Sequence, residues 1–137
     1  MAEGELGGTR EPRRGAEAPV SVLIVDDQEV FRAIVRDVVC ATPDMTLVGE
    51  AASGEAAVDA VEELSPRLVI MDKRMPGIGG VEAARRIRAR RPQIVVVLMS
   101  VEAPDSEVLK ASGAVAFLHK RQLSPRALAE LWRTCGA

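Results

Sequence analysis

Five residues with reactive side chains stand at or just past the ends of apolar runs. Asp26 and Asp27 close "VSVLIVDD", Asp72 closes "RLVIMD", Ser100 closes "QIVVVLMS", and Lys120 follows "VAFLH". Carboxylates gathered in one place repel one another, and a buried aspartate is costly unless paired. A divalent cation relieves both problems. Oxygen-only ligands suit Mg²⁺, which keeps several waters and is typically held by one or two carboxylates plus a phosphate. A lysine and a hydroxyl beside such a cluster match the remaining phosphate oxygens. The chemistry this set suggests is phosphoryl transfer in which a carboxylate is the acceptor.

That chemistry requires the five residues to converge, which depends on the elements that carry them. "VSVLIV" (20–25) is a short β-branched run. Phe31, Ile34, Val35 and Val38 then recur at helical spacing, with Arg32, Arg36 and Asp37 outside the stripe. "TLVGEA" (46–51) reads as a second strand, followed by a helix on Ala57, Ala60, Val61 and Leu64. "RLVIMD" precedes a helix on Gly80, Ala83, Ala84 and Ile87. "QIVVVLMS" (93–100) is the most continuously apolar run, as expected of a central strand covered on both faces. A weak helix around Asp105–Ser112 and the strand "VAFL" (115–118) come next. Ser124 and Pro125 suit an N-cap and first helical position, and Leu128, Leu131, Trp132 and Cys135 form the last stripe. Five strand-helix units predict an α/β fold of (βα)5 type, a doubly wound parallel sheet between two helical layers. In open sheets of this kind ligands bind outside the carboxyl ends of the strands, where the five residues fall.

Composition sets outer bounds. The chain has 137 residues, 47% of them hydrophobic, which suits one domain with a real core. A net charge of −2 supplies no footprint for direct nucleic-acid binding and no polybasic membrane anchor. No apolar run approaches the roughly 20 residues needed to span a bilayer, and no signal-peptide pattern opens the chain. The expected location is cytoplasmic, with no membrane partner. Residues 1–19 mix Gly, Pro and both charge signs and read as a flexible leader before a domain over 20–137. Arg10, Arg13 and Arg14 share that leader with four glutamates, which disfavours a nucleic-acid contact. Cys40 and Cys135 lack metal-ligand or redox spacing and are expected to be buried or half-buried.

In this order, "LIVDD", "MDKRMPG", "VVVLMS" and "GAVAFLHK" resemble the receiver domain of bacterial two-component response regulators. The resemblance runs from Val20 to Cys135. "VLIVDDQEVFRAIVRDVV" and "PDMTLVGEAASGEAAV" further resemble the subfamily usually fused to a helix-turn-helix output domain. The resemblance implies a flavodoxin-like fold with strand order 2-1-3-4-5. Strand two, ending near Glu50 and Ala51, would then lie at an edge, away from the convergent set. It also implies that Asp72 is the phosphoacceptor, attacking a phosphohistidine on a sensor histidine kinase. Asp26, Asp27 and the backbone carbonyl of Arg74 would hold Mg²⁺ together with Asp72. Ser100 would hydrogen-bond the phosphoryl group, Lys120 would pair with it, and Phe117 would be the aromatic switch residue. Phosphorylation would add roughly −1.5 to −2 charge beside a hydroxyl and an ammonium, enough to bias a loop with two positions. The output would come from a downstream effector protein or from the chain's own output domain beyond "RTCGA", and a homodimer is a further option.

Several positions depart from the family pattern. The interval from Ser100 to Lys120 is short, and the lost length falls in "VEAPDSEVLKAS", so the fourth helix should be short or displaced. Val101 stands where a smaller residue is common, and its branched side chain would narrow access to the site. Arg74 and Glu102 flank the site, and a salt bridge between them would partly cover it. Slow phosphorylation by small donors, slow dephosphorylation, or both are expected. Arg121 replaces a common proline, so no cis peptide is implied there.

Each of these residues also has a plainer explanation. Asp26 and Asp27 could cap the next helix, and Asp72 could form an Asx turn. Phe117 is core by default. Gly77, Gly79 and Gly80 read as a permissive loop, not a nucleotide cradle. His119 reads as a half-exposed strand-end residue in preference to a phosphohistidine or metal ligand. The arginines of "ARRIRARRP" read as a solvated helix face in preference to a docking surface. Three functions fit: a phosphoacceptor switch, a receiver-like interaction module that works without phosphorylation, and a Mg²⁺-dependent aspartyl phosphatase. The third would need a general acid where Arg74 stands.

Overall fold

Each strand is followed in the chain by a helix. The strands are β1 (Val20–Val25), β2 (Met45–Ala51), β3 (Leu68–Asp72), β4 (Val95–Ser100) and β5 (Ala116–His119). They alternate with α1 (Glu29–Cys40), α2 (Gly54–Leu64), α3 (Gly79–Arg90), α4 (Ser106–Ser112) and α5 (Pro125–Cys135). The computed structural model describes residues 19–103 and 105–136. The leader expected over 1–19, with Arg10, Arg13 and Arg14, lies outside the described residues except for Pro19.

The five strands form one parallel sheet in the order β2-β1-β3-β4-β5, as the resemblance implies. The apolar pattern explains the placement. Every residue of β3 and β4 is buried, whereas β2 alternates and occupies an edge. Alternate strand residues feed two cores. Val22, Ile24, Leu68, Ile70, Val97 and Met99 pack against Val35 and Val39 of α1 and Leu128 of α5. Leu23, Val25, Val69, Met71 and Leu98 pack against Ala57 and Val61 of α2 and Ala83, Ala84 and Ile87 of α3.

Local chemistry fixes the helix starts. Ser53 Oγ accepts from the Ala56 N–H and Ser124 Oγ from the Ala127 N–H, with Pro125 in the first turn. Asp105 caps α4 by accepting from the N–H groups of Glu107 and Val108. That helix has only seven residues, matching the short fourth helix expected from the spacing.

Three expectations about burial need correction. Ile34 is 48% exposed, and the α1 stripe is centred on Val35 and Val39 instead. Ile34 sits one turn above Val30, itself 76% exposed, so that edge of the helix faces solvent. Leu64 is 39% exposed at the last turn of α2, and Cys40 is exposed at the end of α1. The fourth strand also starts later than expected, at Val95, because Pro92 and Gln93 are taken up in a turn. Among the described residues no peptide bond is cis, and no helix is long and apolar enough to cross a membrane.

Candidate functional site

Strand register assembles the site. Val25 pairs with Met71, so Asp26 and Asp72 each stand one step beyond a matched pair at the carboxyl edge. Across the next ladders Asp72 pairs with Met99 and Ser100 with His119, so Lys120 follows one step on. Parity sets the face. Ile24, Ile70 and Leu118 face the layer of α1 and α5, and alternation puts Asp72, the last residue of β3, on the same face as Ile70. Asp26, just past β1, and Lys120, at the start of a 3-10 turn after β5, meet it there. Ser100 is out of phase with them.

The result is a compact charged cluster. Carboxylate oxygens of Asp26, Asp27 and Asp72 lie within 4.8 Å of one another, the first and third buried and the second exposed. Lys120 Nζ donates to Asp26 Oδ2 at 3.1 Å and lies 3.4 Å from Asp72 Oδ1. Burial pushes the Asp72 carboxyl from the usual 3.8 up to about 6, with Asp26 adding to the rise and Lys120 opposing it. Three carboxylates facing one ammonium fit a divalent cation, and an all-oxygen donor set of this size suits Mg²⁺. Asp26 also serves its own loop, since Oδ1 accepts from the Gln28 N–H at 2.9 Å. It does not cap α1, whose N-cap residue is Gln28 without a side-chain bond.

The loop after β4 closes over one flank. Ser100, buried, accepts at Oγ from the Glu102 N–H at 2.9 Å. The Glu102 carboxylate then meets Arg74 Nη2 at 2.7 Å, as the flanking positions suggest, and also Lys73 Nζ at 2.7 Å. Hydrogen bonds from Lys73 and Arg74, with the charge of both cations, hold the Glu102 carboxyl below the usual range. Lys73 lies 5.8 Å from the ring centre of half-buried Phe117, linking this latch to β5. Val101 is 68% exposed in the same loop. Its carbonyl is 3.0 Å from His119 Nε2, while His119 Nδ1 accepts from the Arg121 N–H. The histidine thus ties the β4 loop to the turn that carries Lys120.

The turn after Asp72 depends on glycine. Gly80 donates its N–H to the Lys73 carbonyl at 3.0 Å, and a Cβ at Gly80 would lie 2.1 Å from the Asp72 carbonyl oxygen. Gly77 has φ +83° and its Cβ position is filled by the Glu55 carboxylate.

Sequence reasoning places Asp26, Asp27, Asp72, Ser100 and Lys120 in one patch. The structure brings the three aspartates and the lysine into contact, whereas the Ser100 hydroxyl is engaged by the Glu102 N–H. Ser100, Val101, Glu102, Arg74 and Phe117 line the neighbouring loop. The same reasoning misses Lys73, whose type and position carry no sequence signal beyond adjacency to Asp72. It also misses Phe31, assigned to the core stripe although its ring lies 4.0 Å from Lys120 Nζ. A cavity of about 340 Å³ lined by Arg67, Arg91, Gln93, Trp132 and Gly136 lies at the opposite, amino-terminal edge of the sheet, apart from this cluster.

Comparison with known proteins places this geometry. The family model described as "Response regulator receiver domain" matches residues 22–132. The chain is 33% identical over 106 residues to the nitrate/nitrite response regulator protein NarL of Escherichia coli, covering 76% of this chain and 49% of that protein. It is 38% identical over 103 residues to the response regulator GacA of Pseudomonas protegens, covering 74% and 48%. It thus spans about half the length of these two curated relatives. Its fold matches the response regulator domain of Thermotoga maritima CheB with a TM-score of 0.75 and 32% identity, over 85% of this chain and 96% of that one. With the acidic edge, the parallel order and the matched residues in agreement, the chain belongs to the response regulator receiver domain family of two-component signalling.

Proposed function

We propose that this receiver domain is a phosphorylation-dependent switch whose acceptor is Asp72. The observation that carries the reading is the placement of the Asp72 carboxylate beside Asp26, Asp27 and the Lys120 ammonium at the carboxyl edge. Asp26, Asp27, Asp72 and the backbone carbonyl of Arg74 would hold Mg²⁺. When bound, that ion neutralises charge on the phosphoryl oxygens. The donor is a phosphohistidine of a sensor histidine kinase. Asp72 attacks phosphorus, the P–N bond breaks, and the imidazole leaves with its electron pair and takes a proton from solvent. Lys120 turns its ammonium to the transferred group, and the Ser100 hydroxyl, which accepts from the Glu102 N–H through a lone pair, keeps its own hydrogen to donate to that group. Movement of that loop, with Phe117 following, is the signal. Own phosphoryl transfer and slow aspartyl-phosphate hydrolysis are the only enzymology, the domain acts in the cytoplasm, and output passes to an effector protein or domain.

The seven-residue α4 favours a second reading, an interaction module that works without phosphorylation. An aspartyl phosphatase fits less well, because Arg74 occupies the position of the acid and points its guanidinium at Glu102. Incubation with Mg²⁺ and acetyl phosphate separates the readings. The switch gains the mass of one phosphoryl group, and the gain disappears with a chelator or in Asp72→Asn. Mg²⁺ binding without mass gain would favour the interaction module.

A further inference from the structure

We propose that Phe31 is the positioning residue for Lys120, holding its ammonium over the acceptor carboxylate through the face of the aromatic ring. This rests on the reading of Lys120 as the partner of the phosphoryl group. Lys120 Nζ lies 4.0 Å from the centre of the Phe31 ring, well inside the range of a cation–π contact. An ammonium has three donors. In this site one donates to Asp26 Oδ2, one faces Asp72 Oδ1, and the ring covers a further side of the same nitrogen. The Lys120 side chain is only 13% exposed, so the ring takes a place that water would otherwise fill.

The carboxylates alone cannot fix a lysine on a flexible four-carbon stem through a reaction cycle. Their oxygens are the groups that a cation and a phosphoryl group engage. A ring neither ligates a metal nor changes charge, so its hold persists through both events. Phe31 is also built into the frame of the site. It stands in the first turn of α1, four residues after the second aspartate of the acidic pair. Arg32 Nη1 donates to the Asp26 carbonyl at 2.8 Å, pinning that turn to the end of β1. The same loop therefore delivers both the acid and the ring.

The test compares shape with electron density. The full chain is prepared with Phe31 intact, as Phe31→Leu, as Phe31→Tyr, and with mono-, di- and pentafluorophenylalanine at position 31. Phosphorylation by acetyl phosphate at saturating Mg²⁺ is timed. Leucine slows the reaction roughly threefold to tenfold, tyrosine leaves it within about twofold, and the rate falls stepwise with fluorination. A flat fluorination series, or a leucine variant as fast as the parent, overturns the proposal. A second readout is independent of chemistry: ring current shifts the Lys120 ε-CH₂ proton resonances upfield in the parent and Phe31→Tyr, not in Phe31→Leu. An unshifted parent resonance overturns the proposal whatever the rates. An intact shift in a chain that is never phosphorylated overturns the proposed function while leaving Phe31 as the residue that places Lys120.

Discussion

Asp26 and Lys120 form an ion pair at the carboxyl edge of the sheet, with Nζ 3.1 Å from Oδ2, the aspartate fully buried and the lysine 13% exposed. The ammonium is the protein's own cation among three carboxylates. Removing one partner of a buried pair leaves an uncompensated charge and typically costs ~3 kcal/mol or more. In buffer without divalent ions, Lys120→Met should lose about that much stability in urea unfolding. Saturating Mg²⁺ should restore most of it, since the ion replaces the missing positive charge. A loss that Mg²⁺ leaves unchanged would count against a cation site at these aspartates.

Asp72 gives the stability a pH signature. Its carboxyl titrates near 6 in the fold against 3.8 ordinarily, so the folded state holds the proton more tightly. The associated stability is present below about pH 4 and is lost as pH rises through about 6. Asp72→Asn removes this cost. Without divalent ions at neutral pH the variant should be more stable by about 2 to 3 kcal/mol, an amount set by the size of that shift. The gap should narrow toward pH 4 in paired urea melts. A gap that widens as pH falls would contradict a carboxyl whose proton is held by burial.

The latch at Glu102 should govern access. Its carboxylate meets both Lys73 and Arg74, and its N–H occupies Ser100 Oγ. Arg74→Asn and Val101→Ala should each raise the rate of phosphorylation by acetyl phosphate, of dephosphorylation, or of both. Glu102→Gln should do the same by releasing two cations at once. Unchanged rates across all three variants would remove the covering role from this loop.

Gly80 backs the acceptor residue. A methyl group there would lie 2.1 Å from the Asp72 carbonyl oxygen and 3.0 Å from the Lys73 Cα, so backbone must move. Gly80→Ala should destabilise the domain by at least about 2 kcal/mol in thermal or urea unfolding. A change within about 0.5 kcal/mol, the range usual for surface substitutions, would contradict the packing described.

Much of this site is legible in the amino-acid sequence because strand ends are. Unbroken apolar runs mark β3 and β4, and a parallel sheet requires their last residues, Asp72 and Ser100, to share an edge. Helical periodicity locates α3 to the residue, since Gly80, Ala83, Ala84 and Ile87 are all buried. It misjudges α1, where Ile34 and Val39 are equally apolar and only the angle at which the helix meets the sheet chooses Val39. The strand order is carried by the family resemblance, since adjacent parallel strands leave no local mark. Phe31, Lys73 and His119 are hidden for a related reason. Each acts by touching a residue far away in sequence, and their side-chain types have ordinary explanations in a helix, a turn and a strand end.

In the proposed switch Asp72, alone among the three clustered aspartates, receives the phosphoryl group. Borohydride reduces an acyl phosphate to the alcohol, so trapping after treatment with acetyl phosphate and Mg²⁺ records the modified residue. Peptide mass spectrometry should find homoserine at position 72 and unmodified aspartate at positions 26 and 27. Trapping at Asp26 or Asp27, or phosphate retained on His119 with position 72 unmodified, would contradict it.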